Sequence, residues 1–378
     1  MIAGPKTRFQ RRVVVPILAP ILKLRHRYDL RNWRHGAWNR IEQIAARAQA
    51  EGSRPVILIG LHHRIGDIVM ATAVIRQLRA RHPEAILVFA TQSRFRDVLS
   101  ANPHLDHIVD CDCIGTLIDL AAHPAFQSAH LLTLDGDRCE LCGAVFRDTH
   151  RPFVEMGLGY MDWYCHRRHL LELWLERLEL DTTDVEPEIR IPDNVAARMR
   201  GRLEQGRVLR RGPLVAIHTR TPHWPAKQWP LENSFQLMRR LIGEKDAHIV
   251  VIGTEPVAGL PLGVHDMTGQ TSLIEIAALL AEVDLFIGPD SGPGHLASAV
   301  GTPSIVMFGP TDPDTCRPRG RSVITLWHGA ELDGPMRVDV RPGTRANRDM
   351  ARISVDEVME AAQSLLGERQ TALLSGAA

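Results

Sequence analysis

Three short runs in this sequence combine residue types that could grip an anion and move a proton. Asp290-Ser291-Gly292-Pro293-Gly294-His295 follows an apolar run from Asp284 to Gly288. A small-residue helix is expected to start near Gly294-His295 and close at Gly301, and a second apolar strand, Ser304 to Phe308, ends in Gly309-Pro310-Thr311. Two such strand-to-loop crossings lie side by side in a parallel sheet, and helix amino termini at strand carboxyl ends bind phosphorylated ligands. Ser291, Gly292 and Gly294 would let backbone N–H groups come close to an anion, while Asp290 and His295 offer polar side chains to a sugar or ribose. Tight turns of any Rossmann-like domain would look the same, so the glycines alone leave a purely structural reading open. Lys227, in Lys227-Gln228-Trp229-Pro230, supplies a cation for a diphosphate. Asp67, in Arg64-Ile65-Gly66-Asp67, supplies a carboxylate that could be a general base or a helix cap.

The elements that must position these groups are legible from apolar periodicity. Pro55 to Gly60 reads as a buried strand, and Asp67 to Arg79 as a helix with Ile68, Val69, Ala71, Val74, Ile75 and Leu78 on a stripe. Strand Ala85 to Ala90, a helix near Arg94 to Ala101, and strands His107 to Cys111 and His130 to Leu134 follow. Residues 166–179 read as an amphipathic helix. A polar stretch from Asp181 to Gly212, with a short helix near Val195, reads as a connection. The second half repeats the alternation: strand Leu214 to His218, helix Leu231 to Ile242, strand His248 to Gly253, helix Ser272 to Glu282, then the two strands of the glycine loops. Ser354 and Glu357 form a capping-box pattern that opens a last helix. Strands alternating with helices predict parallel sheets covered on both faces.

The wording of the motifs points to one family. Asp290 to Pro313, read as D-S-G-P-x-H-L-A-x-A-x-G-T-P-x-x-x-x-F-G-P-T-x-P, strongly resembles the heptosyltransferases of glycosyltransferase family 9, which build the inner core of bacterial lipopolysaccharide. Arg64-Ile65-Gly66-Asp67 resembles the amino-terminal signature of that family, Lys227 to Pro230 its K-x-W-P segment, and Met267 to Leu273 its T-G-x-T-S-L turn. The four matches keep the family's order between Val56 and Leu366.

The resemblance implies the GT-B architecture, an α/β fold of two Rossmann-like parallel-sheet domains facing a cleft. It divides the chain into a basic extension (1–52), an acceptor domain (53–190), a linker (191–212), a nucleotide-sugar domain with a returning last helix (213–368) and a tail (369–378). It implies a metal-independent, configuration-inverting transfer with no cofactor. Asp67 would be the base and Lys227 the diphosphate cation, with Arg64 and Gly66 on the acceptor side. Thr219, Glu255, Thr268, Gly269, Asp290, Ser291, Gly292, His295, Gly309 and Thr311 would hold the donor, Glu255 on the ribose hydroxyls. The donor would be an ADP-sugar, most readily ADP-heptose, and the acceptor a lipopolysaccharide-type saccharide; nucleic acid is not expected as a partner. A nucleotide-sugar epimerase of the same build, or a non-catalytic descendant, are the alternatives. The epimerase would not need Arg-Ile-Gly-Asp, and the descendant should have lost Asp67 or Lys227, which are present. A dehydrogenase is disfavoured because no G-x-G-x-x-G follows the first strand.

Composition fits a globular chain of 378 residues, 44% hydrophobic and 24% charged. The net charge of +1 hides an asymmetry: residues 1–52 hold eleven Lys/Arg against three Asp/Glu. Within them, Val13 to Leu22 is apolar between basic flanks. Ten residues are too few for a bilayer, which needs about 20. Two prolines and the absence of a small-residue cleavage site argue against a signal peptide. A peripheral anchor on an anionic membrane surface is one reading, an extension packed on its own domain the other. The expected location is cytoplasmic, at the inner face of the inner membrane.

Two further patterns bear on metals. Asp110/Asp112, Asp135/Asp137 and Asp312/Asp314 have the D-x-D form of metal-dependent glycosyltransferases, a triplet common by chance. Cys111, Cys113, Cys139 and Cys142 each follow a strand of the first sheet and could converge; they suit zinc or iron, with Cys165-His166 as further candidates, or they are separate free thiols.

Overall fold

The computed structural model describes residues 34–62, 64–133, 139, 141–146, 168–205, 212–328 and 345–375. The apolar run at 13–22, Asp135, Asp137, Cys165 and His166 lie outside them. The chain forms two compact units: Met1–His62 with Glu84–Arg94 and Leu105–Asp148, and His63–Pro83 with Phe95–His104 and Thr149–Ala378.

In the first unit, strands β1 (Val56–Leu61), β2 (Ile86–Thr91), β3 (His107–Asp110) and β4 (Ser128–Leu131) make a parallel sheet in the order β3-β2-β1-β4. β1 and β2 are buried along their whole length, as strands covered on both faces must be. Residues 34–50, expected within the basic extension, form helix α1. Ala37, Ile41, Ile44 and Ala48 fall on one face of it and are buried against Val56, Leu58 and Val88, so this part of the segment completes the core.

Helix α2 (Ile65–Arg81) follows β1 but belongs to the second unit, where the sequence reading had assigned it to the acceptor domain. Val69 joins the same apolar cluster as Leu296 and Ala297, and Arg76 and Gln77 bond to Asp184, Glu186 and Asp181. Residues around its entire circumference are buried, Met70, Thr72 and Ala73 included, rather than a single stripe. The helix expected near 94–101 is a 3₁₀ segment, Ser93–Leu99.

The second unit holds six parallel strands: β5 (Leu214–His218), β6 (His248–Ile252), β7 (Val264–Asp266), β8 (Leu285–Pro289), β9 (Ser304–Phe308) and β10 (Val323–Trp327), ordered β10-β9-β8-β5-β6-β7. The chain winds from β5 to β7 in one direction, then resumes at β8 beside β5 and winds in the other. The β5/β8 boundary is therefore the topological switch point, where open parallel sheets bind ligands at the strand carboxyl ends. The stretch read as a linker contains a 13-residue helix, Asp193–Gln205, whose Val195, Met199 and Leu203 are buried in the core. The last helix begins at Val355 after the expected capping box and runs to Ser375.

Candidate active site

Lys227 sits on a 3₁₀ turn, Pro225–Lys227, placed by two tryptophans. Trp229 is buried and donates from Nε1 to the Ile353 carbonyl at 3.0 Å, pinning the segment to the core. Trp224 lies under the ammonium, 4.5 Å from Nζ to ring centroid, a cation–π contact. Lys227 Nζ donates to Asp290 Oδ2 at 2.5 Å, and the Thr311 hydroxyl donates to the same oxygen at 2.6 Å. Asp290 is 5% exposed and the lysine side chain 15%. A buried ion pair of this kind needs every remaining lone pair and N–H satisfied to hold its position. Asp290, expected on the sugar or ribose, thus spends one oxygen on aiming the lysine.

Helix α8 (we number α3, Ile114–Ala121; α4, Leu170–Arg177; α5, Asp193–Gln205; α6, Leu231–Lys245; α7, Leu273–Glu282; α8, Gly292–Ala299) starts directly after β8. Ser291 is its N-cap, with backbone N–H groups of the first turn at the strand ends. The Ser291 hydroxyl donates to the Pro289 carbonyl at 3.0 Å and stands 3.0 Å from His218 Nδ1, so it accepts from that ring nitrogen. His218, the last residue of β5, bridges the switch point. Burial pushes its pKa down to about 4, so the ring is neutral near pH 7. The sequence reading missed it; its place at the end of an apolar strand was the available signal.

His295 lies one turn into α8, 5% exposed, and its Nδ1 has no hydrogen-bond partner among the described residues. Burial holds its pKa below the ordinary value, opposed by the carboxylates of Asp290 and Asp67 and assisted by Lys227. These influences put Asp67, Asp290, Lys227 and His295 in one electrostatic neighbourhood. Asp67 is in the first turn of α2, half-buried, and accepts the Arg64 N–H at 3.2 Å, so it closes a capping box from the third helical position while Arg64, not Asp67, is the N-cap. Arg64 itself is exposed. A Cβ on Gly66 would stand 2.8 Å from His295 Cδ2, which gives that glycine a packing reason besides the expected acceptor role.

The remaining expected residues occupy the same row of strand ends. Thr219 follows β5, buried, its hydroxyl without a partner among the described residues. Thr268 donates through both N–H and hydroxyl to Asp266, and Gly269, at φ +69°, donates to the Gly253 carbonyl, so the loops after β6 and β7 are joined. Ser272 of the same motif caps α7 reciprocally with Glu275. Glu255 is half-exposed and faces Arg220 at 3.6 Å. Gly309 accepts from Trp327 Nε1 at 3.4 Å. Cys316, unremarked in the sequence, lies 4.0 Å from Asp290 Oδ2, and burial raises its thiol pKa far above the usual range.

The arrangement can neutralise a departing anion with Lys227 and first-turn amides of α8, and it offers a carboxylate nearby. Of the D-x-D aspartates among the described residues, Asp112 accepts from the Ser93 N–H, and Asp312 caps a short helix by accepting from the Asp314 N–H. Among the described residues of the site, the buried Thr219 Oγ1, Trp224 Nε1 and His295 Nδ1 lack partners and remain for a ligand to satisfy.

A family model described as "Glycosyltransferase family 9 (heptosyltransferase)" matches residues 163–341. Lipopolysaccharide heptosyltransferase 3 of Escherichia coli K12 is 36% identical over 115 residues, 30% of this chain and 30% of that protein. Lipopolysaccharide heptosyltransferase 2 of Salmonella typhimurium is 22% identical over 348 residues, 80% of this chain and 96% of that one. Among solved structures, a family 9 glycosyltransferase from Veillonella parvula superposes with a TM-score of 0.66 at 20% identity, covering 83% of this chain and 98% of the other. E. coli ADP-heptose lipopolysaccharide heptosyltransferase II gives 0.62 at 18%, covering 84% and 99%. The fold is GT-B, with two Rossmann-like parallel sheets.

Proposed function

We propose, from the premise that this chain belongs to glycosyltransferase family 9, the heptosyltransferases, that it moves a heptose from ADP-heptose onto a lipopolysaccharide-type saccharide with inversion. The donor and acceptor are those for which its relatives are named. One observation carries the reading: a single compact unit holds both the Asp67 helix start and the Lys227–Asp290–Thr311 cluster.

In this reading Asp67 takes the proton of the acceptor hydroxyl. The oxygen attacks the anomeric carbon opposite the leaving group, the bond from that carbon to the β-phosphate oxygen breaks, and the electron pair departs with ADP. The bond from Arg64 N–H to one carboxylate oxygen supports the role by fixing the aim of the group. Lys227 keeps one N–H on Asp290 and has two for the diphosphate, beside the amides of α8. Such preorganised donors stabilise developing charge without reorganising during the reaction. Glu255 would serve the ribose after releasing Arg220, and Thr219 and His295 would bond the donor through their orphaned atoms.

A panel of ADP-, GDP- and UDP-sugars, scored by thermal shift and nucleotide release, tests this. ADP-heptose should stabilise the protein, and Asp67→Ala should bind it while losing roughly 10²–10⁴-fold in transfer. Transfer unchanged in Asp67→Ala would remove that residue from the mechanism.

We also propose that the basic amino terminus rests on an anionic membrane at the cytoplasmic side. Among the described residues no helix is long and apolar enough to cross a membrane. Co-sedimentation with phosphatidylglycerol vesicles should fall when Arg11, Arg12, Lys23, Arg25 and Arg27 are replaced by Ser; binding that is unchanged would sink the idea.

A further inference from the structure

We propose that Cys113, Cys139 and Cys142 bind a thiophilic divalent cation, zinc or iron(II), in a structural site within the first unit. Their three Sγ atoms lie within 4.8 Å of one another, from opposite sides of the sheet order: Cys113 after β3, the other two after β4. Cys113 and Cys139 sulfurs are 3.9 Å apart. Thiolates each about 2.3 Å from a tetrahedral zinc stand ~3.8 Å from one another, whereas a disulfide needs about 2.05 Å. The spacing is that of shared ligation.

The backbone around the sulfurs is built for negative charge. Cys139 N–H donates to the Ala144 carbonyl at 2.8 Å and Gly143 N–H to the Cys139 carbonyl at 3.0 Å, which closes Cys139-x-x-Cys142-Gly-Ala into a tight loop. Gly143 takes φ +75°, and the turn it permits sends the Ala144 N–H to Cys142 Sγ at 3.4 Å. Ile114 N–H points to Cys139 Sγ at 3.4 Å, and Cys113 is the N-cap of α3, so the positive end of that helix faces the group. Gly115 makes room: a Cβ there would stand 3.3 Å from Cys142 Sγ and 3.6 Å from Cys113 Sγ. Ile114, Leu131, Leu141, Ala144 and Phe146 pack around Cys113 and Cys139 and shield their sulfurs from solvent. Cys142 reaches the surface, so an ion can enter there and water can take the fourth corner. Binding one M²⁺ ion releases three thiol protons and changes no oxidation state. The site ties the loop after β4 to the start of α3 and takes no part in sugar transfer.

The full chain, expressed with zinc and iron available and dialysed against a weak chelator, should retain one metal atom per chain by elemental analysis, and the element found identifies the ion. Cys113→Ser, Cys139→Ser and Cys142→Ser should each lose it, while Cys316→Ser, in the other unit, keeps it. Cobalt(II) loaded into the chelated protein should give the intense visible bands of tetrahedral thiolate coordination. Where a serine variant fails to fold, the unmodified chain decides: a strong chelator should lower its Tm and expose three additional thiols to a disulfide reagent. Purified chain without bound metal, or with metal unaffected by Cys142→Ser, would overturn the proposal.

Discussion

Gly66 and His295 share one contact: the imidazole lies so close over the glycine that any Cβ there would stand 2.8 Å from Cδ2. The relationship is reciprocal between Gly292, one turn before His295, and Ile65, the residue before Gly66. A Cβ on Gly292 would fall 2.1 Å from Ile65 Cγ2. The starts of α2 and α8 interlock through a glycine on each side, which brings Asp67 beside the donor loop.

Gly292→Ala should therefore destabilise the protein by about 1–3 kcal/mol, the usual cost of overpacking a dense interior. Adding Ile65→Ala removes the clashing methyl and should restore part of the loss. A denaturant double-mutant cycle measures the coupling, and additive effects would refute the interlock.

Asp290→Leu should cost about 3–5 kcal/mol because it strands the buried Lys227 ammonium. The double variant Lys227→Met/Asp290→Leu removes both charges and should be more stable than Asp290→Leu alone, though equally inactive. Tm and transfer assays on the three proteins test this.

Acidification should weaken the fold. Burial lowers the pKa of His218 to about 4 and of His169 to about 3, from an ordinary 6.5. Between those values the unfolded chain binds more protons than the folded one, so the stability contribution is complete above the unfolded value and declines as pH drops through the window. Each ring contributes at most about 1.4 kcal/mol per pH unit. Urea titrations at pH 7, 6 and 5 should show the decline, with a shallower slope in His218→Gln.

His218→Ala should loosen Ser291 and raise the donor KM about fivefold, the worth of one hydrogen bond near 1 kcal/mol, with kcat less affected. Steady-state kinetics with ADP-heptose checks the split; a fall confined to kcat would reject the anchoring role.

Much of this was legible in the residue order. Strands β1, β2, β3, β5, β6, β8 and β9 fall on the apolar runs, and Ser354 with Glu357 opens the last helix as read, whereas the edge strands β7 and β10 were not read. The helices at 34–50 and 193–205 were underread because each lies in a polar stretch, one inside the basic extension and the other inside the polar connection. Their apolar positions, Ala37/Ile41/Ile44/Ala48 and Val195/Met199/Leu203, nonetheless keep helical spacing. Ser272 was read as part of a turn motif and proves to be a helix cap.

The sequence by itself determined which residues end strands and open helices, because periodicity and capping are short-range and written into neighbouring positions. It thereby put Thr219, Lys227, Asp290, Ser291 and Thr311 at the carboxyl ends of parallel strands. Only the tertiary structure decided that Asp290 aims Lys227, that His218 holds Ser291, that Gly66 lies beneath His295, and that α2 packs with the second unit. Those pairings depend on strand order and side-chain volume, and distance along the chain carries no information about either.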